Sequence, residues 1–398
     1  MPSLLDAADA FSKLGKKSIE INEAACVRVR HRHASCQLCL RVCSHEAITI
    51  EDNILAIDNH RCTGCGACAS VCPTEALSLI ENANETLQEA IDRAAANTTI
   101  EVSCEYARNQ HDAHAEAEQA QPWREQAQRV PCLATLDEST LIHAACAEVS
   151  LHYVSGECAQ CPNANGALIE EIIEQAQGFL SALSLPCEQA DRRPHWSIYR
   201  ALDSAQDKNT SPEMSRRGMF DHFVERTTDS IAEAAVGTFY VNARATEEKP
   251  TLAQTLLMAK GVLKQIDVWR TTRILNDLYR MLVKANSKLT PESTRDDTNI
   301  PTRLFGEIDL DVQRCDLCGI CMTFCPTKAI DGIPSPPANP LVAATREVEL
   351  SGELSFRAND CVACRLCVDL CPRDALTFRS GIALQDLFAL ERKTLLAK

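Results

Sequence analysis

Cys62, Cys65, Cys68 and Cys72, with Pro73 behind them, stand in the order C-x2-C-x2-C-x3-C-P. The same spacing recurs at Cys315, Cys318, Cys321 and Cys325-Pro326, and again at Cys361, Cys364, Cys367 and Cys371-Pro372. Three thiolates two residues apart wrap three corners of an iron–sulfur cube in one tight loop. The fourth, three residues on and backed by proline, turns away toward a neighbouring cluster. Gly64, Gly66 and Gly319 suit a backbone that must approach inorganic sulfide closely. Zinc sites use two ligand pairs separated by a long spacer, and three full copies of the tighter pattern count against zinc here. A further copy is incomplete. Cys36, Cys39 and Cys43 fit it, but His33 stands three residues before Cys36, and Ser44 replaces the proline. Three readings stay open: His33 ligates, a three-iron cluster forms, or Cys26, ten residues before Cys36, supplies the thiolate. Cys26 is favoured, because a thiolate suits iron–sulfur chemistry better than imidazole.

The chain holds 22 cysteines in 398 residues. In a secreted chain they would read as disulfides, but the first twenty residues lack a basic region followed by an apolar core. No apolar run approaches the length of a membrane span. Cysteines clustered in a cytoplasmic chain read as metal ligands. A net charge of -15 argues against a phosphate backbone as partner, and 5% aromatic residues offer little for base stacking.

Cysteines and charge divide the chain. Residues 1–80 and 301–398 hold 8 cysteines each, while residues 81–200 hold 6, with 7 basic against 19 acidic residues. Residues 201–300 hold none and begin with a polar loop over 201–215. Within them, Leu256, Leu263, Ile266, Ile274, Leu278 and Leu282 recur at helical intervals, which predicts a helix packed on its neighbours rather than a partner-docking helix. The pair Arg216-Arg217 resembles a twin-arginine export motif, but it lies far from the N-terminus with no apolar segment after it, and reads as a helix start.

The acidic stretch 81–200 alternates helix and strand. Helices are predicted over Thr86–Ala96, from Asp137 to Ala145 and from Asn165 to Leu183, with strands over Thr98–Cys104, Arg129–Leu133 and Glu148–Val154. That order implies a small open α/β sheet, expected to fold as a module of its own. Cys104, Cys132 and Cys158 fall at or just past the strand ends, where ligands bind in such sheets, and Cys161 follows Cys158 closely. These four make a candidate 2Fe-2S site, with zinc or plain core packing as alternatives. Cys146 and Cys187 read as structural, and His111 and His114 as solvent-exposed.

The three full motifs resemble bacterial-type dicluster ferredoxins, including the runs Cys72–Leu77, Cys325–Ile330 and Cys371–Leu376 that follow them. The proline-rich stretch Ile333–Pro337 is an insertion relative to that family. The family's crossed ligation implies one C-terminal 4Fe-4S cluster on Cys315, Cys318, Cys321 and Cys371, and another on Cys361, Cys364, Cys367 and Cys325. At the other end it implies Cys26, Cys36, Cys39 and Cys72 for one cluster and Cys62, Cys65, Cys68 and Cys43 for its neighbour. The basic run Arg28, Arg30, His31 and Arg32 would offset the charge of such a cluster, or else line a solvated strand. The middle stretch resembles the iron–sulfur domain of the delta subunit of methyl-viologen-reducing hydrogenases, whose cluster is 2Fe-2S.

The expected fold class is α+β multidomain: two ferredoxin-like dicluster domains flanking a small open α/β domain, with a helical connector. With 14 glycines the chain shows no dinucleotide or P-loop fingerprint and no hydrolase elbow or zincin helix. An electron-transfer subunit follows, with four 4Fe-4S clusters and a candidate 2Fe-2S cluster. The resemblances imply as partner a hydrogenase, a molybdopterin enzyme such as formate dehydrogenase, or a quinone-linked membrane reductase. A maturation and docking factor for a molybdoenzyme, or a reductase acting at the middle cysteines, are the alternatives.

Overall fold

The computed structural model describes residues 17–80, 83–109, 127–183, 197–200, 265–284, 299–335, 351–389 and 391–398. Cys187, His111, His114, Arg216, Arg217, Leu256 and Leu263 lie outside the described residues.

Two antiparallel strand pairs build each end of the chain. Near the N-terminus Ile19–Ile21 pairs with Leu77–Leu79, and Ile48–Glu51 with Ile54–Ile57. Asp52 and Asn53 both take positive φ, 50° and 61°, the two-residue turn whose twist matches that of a hairpin. Near the C-terminus Gly306–Leu310 pairs with Leu376–Ser380, and Ile330–Ile333 with Glu353–Phe356. The latter pair gains Lys393–Ala397 as a third strand, and Asn299–Ile300 adds a short ladder with Ile382–Ala383. Residues at the close of the connector are thus part of the C-terminal unit.

Between the ends lies a four-stranded, all-parallel sheet in the order Gln128–Val130, Thr99–Cys104, Ser150–Ser155, Ser197–Arg200. The strand expected over 129–133 is shorter, because Pro131 has no amide to donate to a ladder. Cys132 instead leads a 3-10 turn, Leu133–Thr135. The strand Ser197–Arg200 has no counterpart in the sequence expectations. Helices Ala83–Arg93, Glu138–Cys146 and Gly166–Ala182 accompany the sheet. Asp137 starts the second by accepting a hydrogen bond from the Thr140 amide at 3.1 Å. The third buries Ile169, Ile172, Ile173, Ala176 and Phe179, one apolar stripe at helical spacing.

Packing runs across the domain limits expected from composition. Helix Trp269–Lys284 buries Ile274, Leu275 and Leu278 and packs along Glu138–Cys146. One buried core extends from Ala67 through the parallel sheet and this helix to Leu387. Charges are buried along the same seam. Arg270 Nε lies 2.7 Å from Asp137 Oδ2, and Arg303 pairs with the buried Glu138. His143 Nδ1 meets Asp277 Oδ2 at 2.9 Å, and its Nε2 meets Asp92 at 3.1 Å. Burial raises the Asp137 pKa, but Arg270 and Arg273 more than reverse it and hold the carboxylate below its ordinary range.

Candidate metal centres

Every motif closes with the same turn. Glu46, Glu75, Lys328 and Asp374, each three residues past a final cysteine, take left-handed φ of 48°, 50°, 56° and 45°. The next amide turns back: Ala47, Ala76 and Ala375 donate to the Sγ of Cys43, Cys72 and Cys371 at 3.3, 3.2 and 3.2 Å. Such donors favour a thiolate over a thiol. The incomplete motif makes this turn with Ser44 in place of proline.

The carbonyls of these three alanines, and of Ala329 at the same place in its motif, register the opposite motif. Ala47, Ala76, Ala329 and Ala375 accept from the amides of Asp58, Asn22, Arg357 and Asp311 at 2.8, 2.8, 2.9 and 2.8 Å. Four residues past Asp58, Arg357 and Asp311 stand Cys62, Cys361 and Cys315, the first cysteines of their motifs. Four residues past Asn22 stands Cys26. Cys26 therefore occupies the backbone position of a first motif cysteine. The ten-residue step from Cys26 to Cys36 is the ordinary three-residue step lengthened by seven. His33 is exposed on that extra loop, where its ring nitrogen accepts from Arg32 Nε at 3.4 Å.

Within the full motifs two left-handed residues flank the second cysteine: Gly64 and Gly66, Leu317 and Gly319, Ala363 and Arg365. The later of each pair caps a short helix, Ala67–Ser70, Ile320–Phe324 or Leu366–Asp369. Leu317, Ala363 and Arg365 hold this conformation without being glycine, a local cost that the surrounding loop sustains.

The thiols gather in sets that cross motif boundaries. Burial, then Cys72, Cys36 and Cys26, push the Cys39 thiol up to about 12. Cys68 is raised by burial and then by Cys65, Cys39, Cys62 and Cys43. Burial and then Cys318, Cys315 and Cys325 push Cys321 up to about 12, while Cys371 stands beside Cys318. Cys364 is raised by burial, then Cys325 and Cys361, with Cys36 of the N-terminal unit also contributing. Small cavities open between Cys315, Cys318, Cys321 and Cys371 and between Cys43, Cys62, Cys65 and Cys68. Among the described residues no three His, Cys, Asp or Glu side chains converge on a single-ion site. A cube spreads its thiolates over four iron corners, so what it needs is a thiol-lined cavity. The two cavity-lining sets fit that requirement.

At the parallel sheet, Cys104, Cys132, Cys158 and Cys161 line one small cavity past the strand ends, with Tyr106 and Asn165. The Ala107 amide donates to Cys104 Sγ at 3.4 Å, and Tyr106 donates to the Gln160 carbonyl at 3.2 Å. Burial first, then nearby Cys65 and Cys104 among its causes, push the Cys132 thiol up to about 12. Cys146 is not among the lining residues.

Two asparagines, Asn163 and Asn165, the second read in the sequence only as a helix start, tie this cavity to the N-terminal motifs. Asn165, 8% exposed, donates to Cys65 Sγ at 3.7 Å and bonds Cys132 as well. Asn163 Oδ1 accepts from Thr63 Oγ1 at 2.8 Å and meets His45 Nε2 at 3.1 Å. Their only sequence signal is position, just past Cys161-Pro162.

The 4Fe-4S binding domain family matches residues 55–78, and the 4Fe-4S dicluster domain family matches residues 314–375. The chain carries ferredoxin-type 4Fe-4S-binding segments at both ends. Neither a curated protein nor a solved structure matches it. The first match takes in Cys62–Cys72 but stops short of the lengthened motif, and neither reaches the parallel sheet. Among the described residues no helix is long and apolar enough to cross a membrane.

Proposed function

We propose that the chain is a multicentre electron relay serving redox partner proteins, with four 4Fe-4S clusters and a 2Fe-2S cluster at the parallel sheet. The ligand sets are Cys26, Cys36, Cys39 and Cys72; Cys43, Cys62, Cys65 and Cys68; Cys325, Cys361, Cys364 and Cys367; and Cys315, Cys318, Cys321 and Cys371. Cys104, Cys132, Cys158 and Cys161 form the fifth. Bound clusters would supply one-electron chemistry; the chain's own residues hold them in sequence and shield them from solvent.

The observation that carries this reading is the succession of neighbouring thiols from one set to the next. Cys132 neighbours Cys65, Cys68 neighbours Cys39, Cys36 neighbours Cys364, and Cys367 neighbours Cys321. One line of sets therefore runs from the parallel sheet through the N-terminal unit to the far side of the C-terminal unit. Among the described cysteines only Cys318, in the last set, is exposed, which makes that end a candidate port for a partner.

A hydrogenase, a molybdopterin enzyme or a quinone-linked reductase would fit as that partner, with the chain in the cytoplasm. The test is a reductive titration of the anaerobically reconstituted full chain. One electron should be taken up per loaded site and given back to an added one-electron acceptor protein. Clusters that assemble but neither accept nor return electrons would favour a docking role instead.

A further inference from the structure

The seven extra residues of the first motif have a place in the structure that ligand spacing alone does not explain. The nine residues between Cys26 and Cys36 make up this loop, 27–35, which opens on one helical turn, Val27–Arg30, and reaches from the N-terminal unit onto the C-terminal one. Val27 and Ala34 share a buried cluster with Leu366 and Leu370, joined at its edge by Cys36 and Cys364. The His31 ring sits edge-on to Phe324, centroids 4.9 Å apart. Ser35 donates to the Asp369 carboxylate from its amide at 2.7 Å and from its hydroxyl at 2.9 Å. Leu366, Asp369 and Leu370 belong to or adjoin the short helix carrying Cys367, so this contact fixes one set of thiols against the other.

Arg30 lies inside the contact and is 4% exposed. Burial lowers its pKa, and Cys325, Cys364 and Cys26 work in the opposite direction, so its charge lies within electrostatic reach of thiols of both units. An arginine keeps its charge in such a place. Four thiolates on a cubane give a net negative body, and reduction adds to it, so two such bodies across a dry boundary repel. A fixed positive charge between them offsets the repulsion most when both carry extra electrons.

We propose that loop 27–35 couples the two ferredoxin-type units into one relay, with Arg30 as a positioning charge between the Cys26/Cys36/Cys39/Cys72 and Cys325/Cys361/Cys364/Cys367 sets. The proposal rests on the four-cluster reading above. Transfer across the boundary moves one electron: one side is oxidised as the other is reduced, no bond changes, and partner proteins supply and remove the electron at the ends.

The test uses the full chain, reconstituted anaerobically with iron and sulfide. Iron content of the unaltered chain is read first, and a chain that holds no cubane at either inner set removes the four-cluster reading itself. With that reading secure, Arg30→Gln should keep its iron but make two centres, one from each unit, harder to reduce. At a fixed potential their reduced-to-oxidised ratio should fall about tenfold, about 59 mV for a one-electron couple, and Arg30→Lys should restore most of it. Full iron with every midpoint unchanged would overturn the role of Arg30. Should Arg30→Gln lose iron, Asp369→Ala gives the second reading. It should retain all cubanes yet weaken the magnetic broadening between the two inner centres in the EPR spectrum of the fully reduced chain. Unaltered broadening in Asp369→Ala would overturn the coupling role of the loop.

Discussion

Cys26 shows how one residue can be legible in type and hidden in position. A thiolate was expected to complete the first motif, yet spacing could not separate Cys26 from His33, because the loop between ligands is longer than the motif allows. The amide of Asn22 on the Ala76 carbonyl, at 2.8 Å, restores the equivalence that spacing hides. The sequence does contain the match: the strand Ile19–Ile21 leads to Cys26 as Ile54–Ile57 leads to Cys62. Cys26→Ser should therefore lose one cubane, about four irons, while His33→Ala keeps it; iron analysis and EPR of the two variants decide. Loss of the cluster in His33→Ala with a silent Cys26→Ser would reverse the assignment. Arg30 was legible only as one member of a basic run that could offset a cluster's charge, and Asn163 and Asn165 were not read as contacts, because an amide carries no motif. What they do depends on which loops the fold brings together.

Among the secondary-structure elements, the helices Glu138–Cys146 and Trp269–Lys284 share a charge network that the sequence could not show, since its members lie far apart in the chain. Its apolar side was legible as the stripe containing Ile274 and Leu278. His143 is the titratable centre of the polar side. Burial opposes its protonation, but hydrogen bonds to Asp277 and Asp92 and their charges raise its pKa to about 9, while Arg280 braces Asp277 at 3.1 Å. The folded chain thus holds this proton more tightly than an unfolded histidine, whose pKa is about 6.5. The resulting stability is fully present below about pH 6.5 and is lost as pH rises through about 9. The contribution is on the order of 3 kcal/mol. In thermal unfolding, His143→Gln should flatten the decline of the midpoint between those pH values; an equally steep decline in the variant would place its origin elsewhere.

For the molecule as a whole, composition could not show how the stretches it marks off lean on each other. The acidic stretch 81–200 builds the parallel sheet, yet Arg270 and Arg273 neutralise its buried Asp137 and Asp277 holds its His143. A fragment of residues 81–200 alone would lose those partners and leave uncovered the face of Glu138–Cys146 on which helix Trp269–Lys284 packs. It should unfold at lower denaturant than the full chain's sheet, followed through cluster absorbance at the middle site. A midpoint equal to the full chain's would show the sheet to be independent of helix Trp269–Lys284. The ferredoxin-type ends were readable because ligand spacing is a local property. The line that joins them was not, because it depends on Arg270 donating to the carbonyls of Ser70 and Ala69, both at 3.0 Å, and on loop 27–35 reaching the other unit. Whether these contacts assemble thiol sets for a string of clusters is decided by iron and acid-labile sulfide per chain, typed by Mössbauer spectroscopy. Anaerobically reconstituted protein should hold about 16 irons in cubane sites and about two more in a 2Fe-2S site; stoichiometric zinc with little iron or sulfide would contradict it.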